Sequence, residues 1–412
     1  MRALRFTLPL FIPLISTCLL MLGNGFYSTL ISLRLKAAGE SDIIIGLLTS
    51  VYYLGMLIGS FNLSSVITKI GHIRSFSAFA AVLAVSTIIP GMKQDLILWT
   101  IARAIGGYSL AGLYITIESW LLNMSNKHTR GKYIALYMIM LYGGQAGGQL
   151  LLGVTDYKTI FPFCLATILI MVAIVPISLM VSSGPQIEEP QSLGFKELYK
   201  ISPTGIVGCA ISGILIASIY GLLPVYLKDI GFDIDSIGAL IAVTLFGGVI
   251  LQYPLGYVSD ILDRRIVLVS LCLLGILVCV AMVLASYFLQ KNLLFFGLIT
   301  FIFGGLTFAI YPISMSHTCD FVKTNHIIEA TQGMLLAYGI GSVIGPIVTS
   351  FFMAAGHQGF FLSFVVVMLI FGTFTTLRMI KGTKTIEATE DNFVSVPHTT
   401  PISSELDPRS DE

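Results

Sequence analysis

Apolar stretches long enough to cross a bilayer recur twelve times along this chain. They lie near 7–33, 43–66, 75–92, 96–122, 133–155, 159–182, 204–227, 235–257, 266–288, 293–318, 328–352 and 358–378. A spanning helix needs about 20 predominantly apolar residues. Within hydrocarbon each backbone N–H and C=O must be paired inside the chain, so uninterrupted runs of this kind cross as helices. Charged residues make up only 11% of the sequence, against about 25% in soluble domains. The chain reads as an all-α integral membrane protein. Its net charge of +1 offers nucleic acid no basic face. Arg2 and Arg5 precede the first run, which has no clear cleavage site and is too long for a signal peptide, so it reads as a retained span.

The longest connector, 183–203, falls between the sixth and seventh runs. It divides the chain into an N-terminal bundle (1–182) and a C-terminal bundle (204–382). With the N-terminus inside, sixteen Lys and Arg residues fall on the cytoplasmic side and six outside. That bias places both termini in the cytoplasm, and the expected location is a cytoplasmic (inner) membrane. The tail 383–412 is polar, acidic and rich in Ser, Thr and Pro, so it is expected to be disordered.

The halves repeat one another. Leu35, Lys36, Gly39 and Gly46 fall on Leu227, Lys228, Gly231 and Gly238 at one constant offset. Gly106-Gly107 matches Gly304-Gly305, and "LYGGQAGG" (141–148) resembles "AYGIGSVIG" (337–345). Internal duplication of this kind points to a transporter. The pairs Gly143–Gly147, Gly144–Gly148 and Gly341–Gly345 read as packing surfaces, because small residues let helices approach closely.

After the eighth run comes "GYVSDILDRR" (256–265), and after the second "SSVITKIGHIR" (64–74). The first of these resembles the loop signature of the major facilitator superfamily, a glycine/acid/basic motif that follows spans two and eight. Gly256, Asp260, Arg264 and Arg265 match it. The copy at 64–74 keeps Lys69, Gly71 and Arg74, but Thr68 stands where the acid belongs. "ARAIGGYSLAGLYITIES", "RGKYIALYMIMLYGGQAGGQLL" and "SIYGLLPVYLKDIG" look closest to a bacterial branch, the YcaD-like transporters. The resemblance covers nearly the whole chain before the tail. It implies two six-helix bundles around a central cavity, alternating access, and a gating role for the two loops with Arg130 at the start of span five.

Charged groups within spans are costly and default to function. Arg103 shares one face of span four with Gly107, Leu110 and Tyr114. A small residue beside an arginine leaves room for an anion or carboxylate. Trp99 and Trp120 are expected to mark the two membrane interfaces of that span. Glu118 reads either as a proton carrier or as the structural partner of Arg74, Arg130 or Lys69. His317 is a second candidate for proton coupling. Asn24, Tyr27, Tyr108, Tyr114, Tyr220 and Tyr311, with Gln145, Gln149, Gln252, Gln332 and Tyr338, carry hydrogen-bonding groups that lipid would leave unsatisfied. They are candidates to line a substrate cavity. Asp320 and Glu329 read as solvated or capping.

The six cysteines show no metal-ligand spacing and read as small buried hydrophobes. No cofactor, metal or enzymatic motif is expected; HExxH, GxSxG and GxxxxGK[ST] are all absent. The reading is a secondary transporter of a small polar or anionic solute, with proton coupling open, acting as a monomer in a lipid bilayer. One alternative is a multidrug/proton efflux transporter, weakened because "GGQAGGQLLLG" lacks the proline of the drug-antiporter motif. The other is a membrane sensor that kept the fold and lost transport.

Overall fold

The computed structural model describes residues 2–125, 129–179, 195–288, 292–322, 326–380 and 397–406. Most of the linker 183–203, and residues 383–396 and 407–412 of the tail, lie outside the described residues. The described chain is almost wholly helical: α1 (Arg2–Ala37), α2 (Asp42–Ile70), α3 (His72–Met92), α4 (Leu96–Met124), α5 (Arg130–Leu150), α6 (Phe161–Val172), α7 (Ile174–Ser178), α8 (Phe195–Ile201), α9 (Pro203–Asp229), α10 (Ile234–Ile261), α11 (Arg264–Phe288), α12 (Leu293–Cys319), α13 (Ile327–Met353) and α14 (Gly359–Ile380). Eleven spans among the described residues are long and apolar enough to cross a membrane. The remaining run, the fifth, forms α5, whose Arg130, Lys132, glutamines and glycines dilute its hydropathy. The sixth run is broken rather than continuous. Pro176 has no N–H to give the carbonyl of Val172, and α6 ends there.

Polar side chains start several of these helices. Asp95 accepts from the Ile97 and Leu98 amides, Asp233 from Ser236, and Asn292 from Phe295. Each supplies an acceptor to a first-turn N–H that has no intrahelical partner. Gly39 and Gly231 turn the chain after α1 and α9 with φ of 85° and 90°. Only glycine adopts that left-handed backbone without a steric cost, and the two positions are equivalent in the repeat.

The described residues form two compact units. One holds α1 up to Arg34, α2 from Val51, the helices through α7, and the tail segment 397–406. The other holds Leu35–Ser50 and α8–α14. This departs from the boundary expected from the linker alone. Lys36 bridges Asp42 (2.7 Å) and Asp229 (2.9 Å), and Gly46 lies against Pro346 and Ser350. These contacts tie Leu35–Ser50 to the second unit.

Helix contacts inside each unit run through glycine. A Cβ on Gly107 would strike the Tyr52 carbonyl, and one on Gly55 the Ala104 carbonyl. In the second unit Gly304 sits on the Thr244 carbonyl and Gly247 on that of Phe301. Likewise Gly144 and Gly148 lie on the Cys18 and Leu22 carbonyls, as Gly341 and Gly345 lie on those of Ala210 and Ile214. The same four contacts are therefore built twice. They also correct the register of the fourth and tenth runs, since Gly107, not Gly106, is the counterpart of Gly304. The glycine ladder of α5 is split as well: Gly144 and Gly148 pack, whereas Gly143 faces open space and Gly147 touches only the tip of Leu22.

α11 shows how an evenly apolar helix divides its faces. Val267, Leu268, Leu271, Cys272, Gly275, Cys279 and Met282 are buried, while Leu273, Leu274, Leu277 and Leu284 are exposed. An apolar face left open on such a helix belongs in lipid. Cys209, Cys272, Cys279 and Cys319 are buried, Cys18 and Cys164 half-buried, and none of the six is joined in a disulfide. The contrast between glycines gives a direct test. Gly304→Val should lower the folded yield in detergent strongly, because the clash is with backbone and costs about 1–3 kcal/mol or more. Gly143→Val should elute in fluorescence-detected size exclusion as the parent does.

Candidate functional site

Arg103 lies about two turns into α4. It is 4% exposed, held inside the first unit by aromatic rings rather than by acids. Its guanidinium stands 4.0 Å from the centre of the Tyr52 ring and 5.8 Å from that of Tyr27. Such cation–π contacts offset part of the cost of burying the charge. The Tyr52 hydroxyl donates to Asn24 Oδ1 at 3.3 Å, and Tyr27 meets Phe163 edge-on. Among the described residues no carboxylate lies within ion-pairing distance of Arg103, and its Nη1 has no hydrogen-bond partner. A buried guanidinium with an unused donor is a poor structural element, since an unpaired buried charge is strongly unfavourable. It is a good receptor for a carboxylate or phosphate, which it meets with a planar fork of donors.

The structure gathers Asn24, Tyr27 and Arg103 into one cluster and adds Tyr52, which the sequence alone does not single out. Its one signal there is an aromatic residue with a hydroxyl in span two, a span that holds no acid. Tyr114, also buried, is in contact with the Met21 sulfur (3.3 Å). Gln149 is committed elsewhere. Its amide nitrogen donates to the Gly25 carbonyl (2.9 Å) and its oxygen accepts from Thr29 (2.7 Å), so it fastens α5 to α1. Gln145 is buried with its backbone against Gly25.

Both tryptophans of α4 differ from expectation. Trp99 and Trp120 are 2% and 1% exposed. Trp99 Nε1 donates to the Lys93 carbonyl (2.7 Å), while Trp120 packs on His72 and Phe76. They are core residues, not a belt facing lipid.

Glu118 is fully buried near the other end of α4. The expected pairing with Lys69, Arg74 or Arg130 is not made. Lys69 and Arg74 are exposed, and Arg130 is half-buried at the start of α5. Instead the carboxylate accepts hydrogen bonds from hydroxyls. Tyr137 donates to Oε1 at 2.9 Å. Thr399 donates to Oε1 and Thr400 to Oε2. Both threonines come from the tail, and its segment 397–406 departs from the expected disorder. Here it is ordered, with Pro397 and Thr399–Ser403 buried. Ile402 completes an apolar cluster with Leu63, Ile67 and Ile115, and that burial is what the tail's average composition conceals.

In the second unit Tyr311 and Tyr338 are buried against each other, with ring centres 5.1 Å apart. Tyr220 packs edge-on to Phe308. Gln252 and Gln332 are buried, and Gln332 Oε1 has no hydrogen-bond partner. His317 is buried beside Phe321.

A family model described as "Major Facilitator Superfamily" matches residues 14–327 and 205–404. The chain belongs to the major facilitator superfamily. It is 30% identical over 353 residues to a protein of Salmonella arizonae named "Uncharacterized MFS-type transporter YcaD", covering 84% of this chain and 90% of that one. The counterpart from Salmonella newport is 29% identical over 343 residues, covering 83% and 88%. Among solved structures, that of a point mutant of nucleoside transporter NupG superposes with a TM-score of 0.75 at 13% identity, covering 90% of this chain and 99% of that one. A bacterial homolog of the human lysosomal transporter Spinster gives 0.71 at 14% identity, covering 90% and 96%.

In this superfamily member the well-preserved loop copy forms a charge cluster. Arg264 is 6% exposed and joins Asp260 (3.1 Å) to Asp320 (2.8 Å), and its Nη1 also reaches Ser259. Gly256 is buried on the preceding turn. Asp320 is thus a buried ion-pair partner rather than a solvated cap. Arg265 folds back on Asp263 at 2.7 Å, and that pair holds the Asp263 carboxyl below its usual range. In the other copy Gly71 takes a left-handed φ of 92° between α2 and α3.

The docked tail should respond to acid. Partial burial beside Tyr142 lowers His398 from 6.5 to about 4. The docked segment therefore carries a neutral imidazole, while the released one titrates normally. Docking is most favoured above about pH 6.5 and weakens as pH falls towards 4. Protease cleavage within the tail should accelerate over that window. His398→Asn should flatten the profile.

Proposed function

We propose that this chain carries a small anionic solute across its membrane by alternating access, with Arg103 as the group that binds the anion. One observation carries this reading. Arg103 is buried among Tyr27, Tyr52 and Asn24 with a guanidinium nitrogen unused and, among the described residues, no acid to neutralise it. The cluster offers a cation, hydrogen-bonding groups and aromatic walls, which suit an organic carboxylate or phosphate better than a hydrophobic cation. Membership in the superfamily supports transport itself.

Glu118 is the proposed coupling group, because it is a carboxylate buried away from any cation among the described residues. The loop residues Gly256, Asp260, Arg264 and Arg265, with Lys69, Gly71, Arg74 and Arg130, are proposed to govern opening on the cytoplasmic side. The proposed setting is a cytoplasmic membrane, with both termini inside and the chain acting as a monomer.

The test begins with a thermal-shift screen of the purified protein against carboxylate and phosphate metabolites. Flux of any hit in proteoliposomes follows. Arg103→Lys keeps the charge but loses the planar fork, and should weaken binding by about tenfold, or 1.4 kcal/mol. Arg103→Ala should abolish binding while circular dichroism shows a folded protein. Parent affinity in Arg103→Ala would overturn the assignment. For coupling, Glu118→Gln should allow exchange of labelled solute and block uphill accumulation. A chain that binds solute yet gives no flux would favour the sensor reading, which the missing acid at Thr68 supports.

A further inference from the structure

The pocket around Glu118 already has an occupant, and it is part of the same chain. The carboxylate is fully buried, and both of its oxygens are engaged by tail hydroxyls, Thr399 on Oε1 and Thr400 on Oε2. Neighbouring residues thus address the two oxygens together, as a pair of adjacent hydroxyls on one ligand would. The grip has three further points. Ile402 is 3% exposed against Leu63, Ile67 and Ile115. His398 meets Tyr142 with ring centres 6.3 Å apart. Ser403 closes the segment on itself, its hydroxyl donating to the carbonyls of Pro397 (3.0 Å) and Thr400 (2.7 Å). Pro401 adds a fixed φ. The segment therefore presents a preformed turn to the bundle, which lowers the ordering cost of binding.

We propose that the face formed by α2, α4 and α5 around Glu118 is a receptor site for the tail turn Pro397–Ser403, and that the docked turn withholds the Glu118 carboxylate from the transport cycle. The part concerning the cycle rests on the coupling role assigned above; the docking does not. Its chemistry is specific. The ligand must bring two adjacent hydroxyls to one carboxylate and an aliphatic side chain to a three-residue apolar notch. While it is bound, Glu118 has no oxygen open to a solute donor. The turn is joined to α14 through residues 381–396, so it acts as an intrachain competitor for whatever Glu118 would otherwise meet.

Two measurements on the full chain in membrane vesicles test this. In a background with all six native cysteines replaced, Ile67→Cys and Ile402→Cys should form a disulfide under mild oxidation, detected as a linked peptide by mass spectrometry. The yield should fall severalfold on adding Glu118→Gln. Separately, dicyclohexylcarbodiimide should modify Glu118 slowly in the parent. It should do so severalfold faster in Ile402→Asp, which unseats the turn without touching the carboxylate's own partners. Absence of the disulfide, or equal carbodiimide labelling in parent and Ile402→Asp, would overturn the proposal. Normal solute accumulation in Glu118→Gln, alongside an intact disulfide in the parent and protected labelling, would instead remove the coupling role and leave the receptor site standing.

Discussion

Helices in a bilayer gain little by hiding apolar surface from one another, since lipid is as apolar as they are. Their contacts must come from close packing, and close packing needs bare backbone. The protein meets this constraint with glycines set on carbonyl oxygens: Gly107 on Tyr52, Gly55 on Ala104, Gly144 on Cys18 and Gly148 on Leu22. The second unit repeats each contact with Gly304, Gly247, Gly341 and Gly345. The remaining geometry depends on these approaches. Tyr52 can reach Arg103 because α2 and α4 touch through Gly55 and Gly107. Gln149 can fasten α5 to α1 because Gly25, Gly144 and Gly148 let the two backbones meet.

The duplication is structural but not chemical. In the register of the shared glycine contacts, Arg103 corresponds to Thr300, Tyr52 to Thr244 and Glu118 to Met315. Thr300 spends its hydroxyl on the Gly297 carbonyl of its own helix, and Met315 is simply buried. The cation and the buried acid both belong to the first unit. The second unit holds its buried charge at the loop, where Arg264 links Asp260 to Asp320. The two halves thus share a scaffold and divide the polar work between them. The tail follows the same division, since it packs on the unit that carries Glu118.

Much of this is legible in the sequence. The twelve runs, the internal repeat and the loop motif at 256–265 identify the fold, because each reflects a local demand: span length, backbone approach or a charged turn. Arg103 is legible too, since an arginine within a span stands out by its cost. The departures share a different cause. Trp99 and Trp120 look interfacial by residue type and position, yet both face inward. Asp320 looks solvated because it ends a helix, yet Arg264, far away in sequence, buries it. Nearby loop cations are the obvious partners for Glu118, and its partners are instead Tyr137 and two threonines from the other end of the chain.

By itself the sequence determined the number of spans, the all-helical class, the two-fold repeat and the residues whose burial would be expensive. These follow from hydropathy, periodicity and charge, which act over a few turns of helix. Only the tertiary structure decided which side of the α5 glycine ladder packs, that Gln149 serves helix packing, that Tyr52 covers Arg103, and that a polar tail segment is buried against Glu118. Each of these depends on which faces meet across helices distant in the chain, and hydroxyl, amide and aromatic groups take their roles from that meeting rather than from their neighbours in sequence.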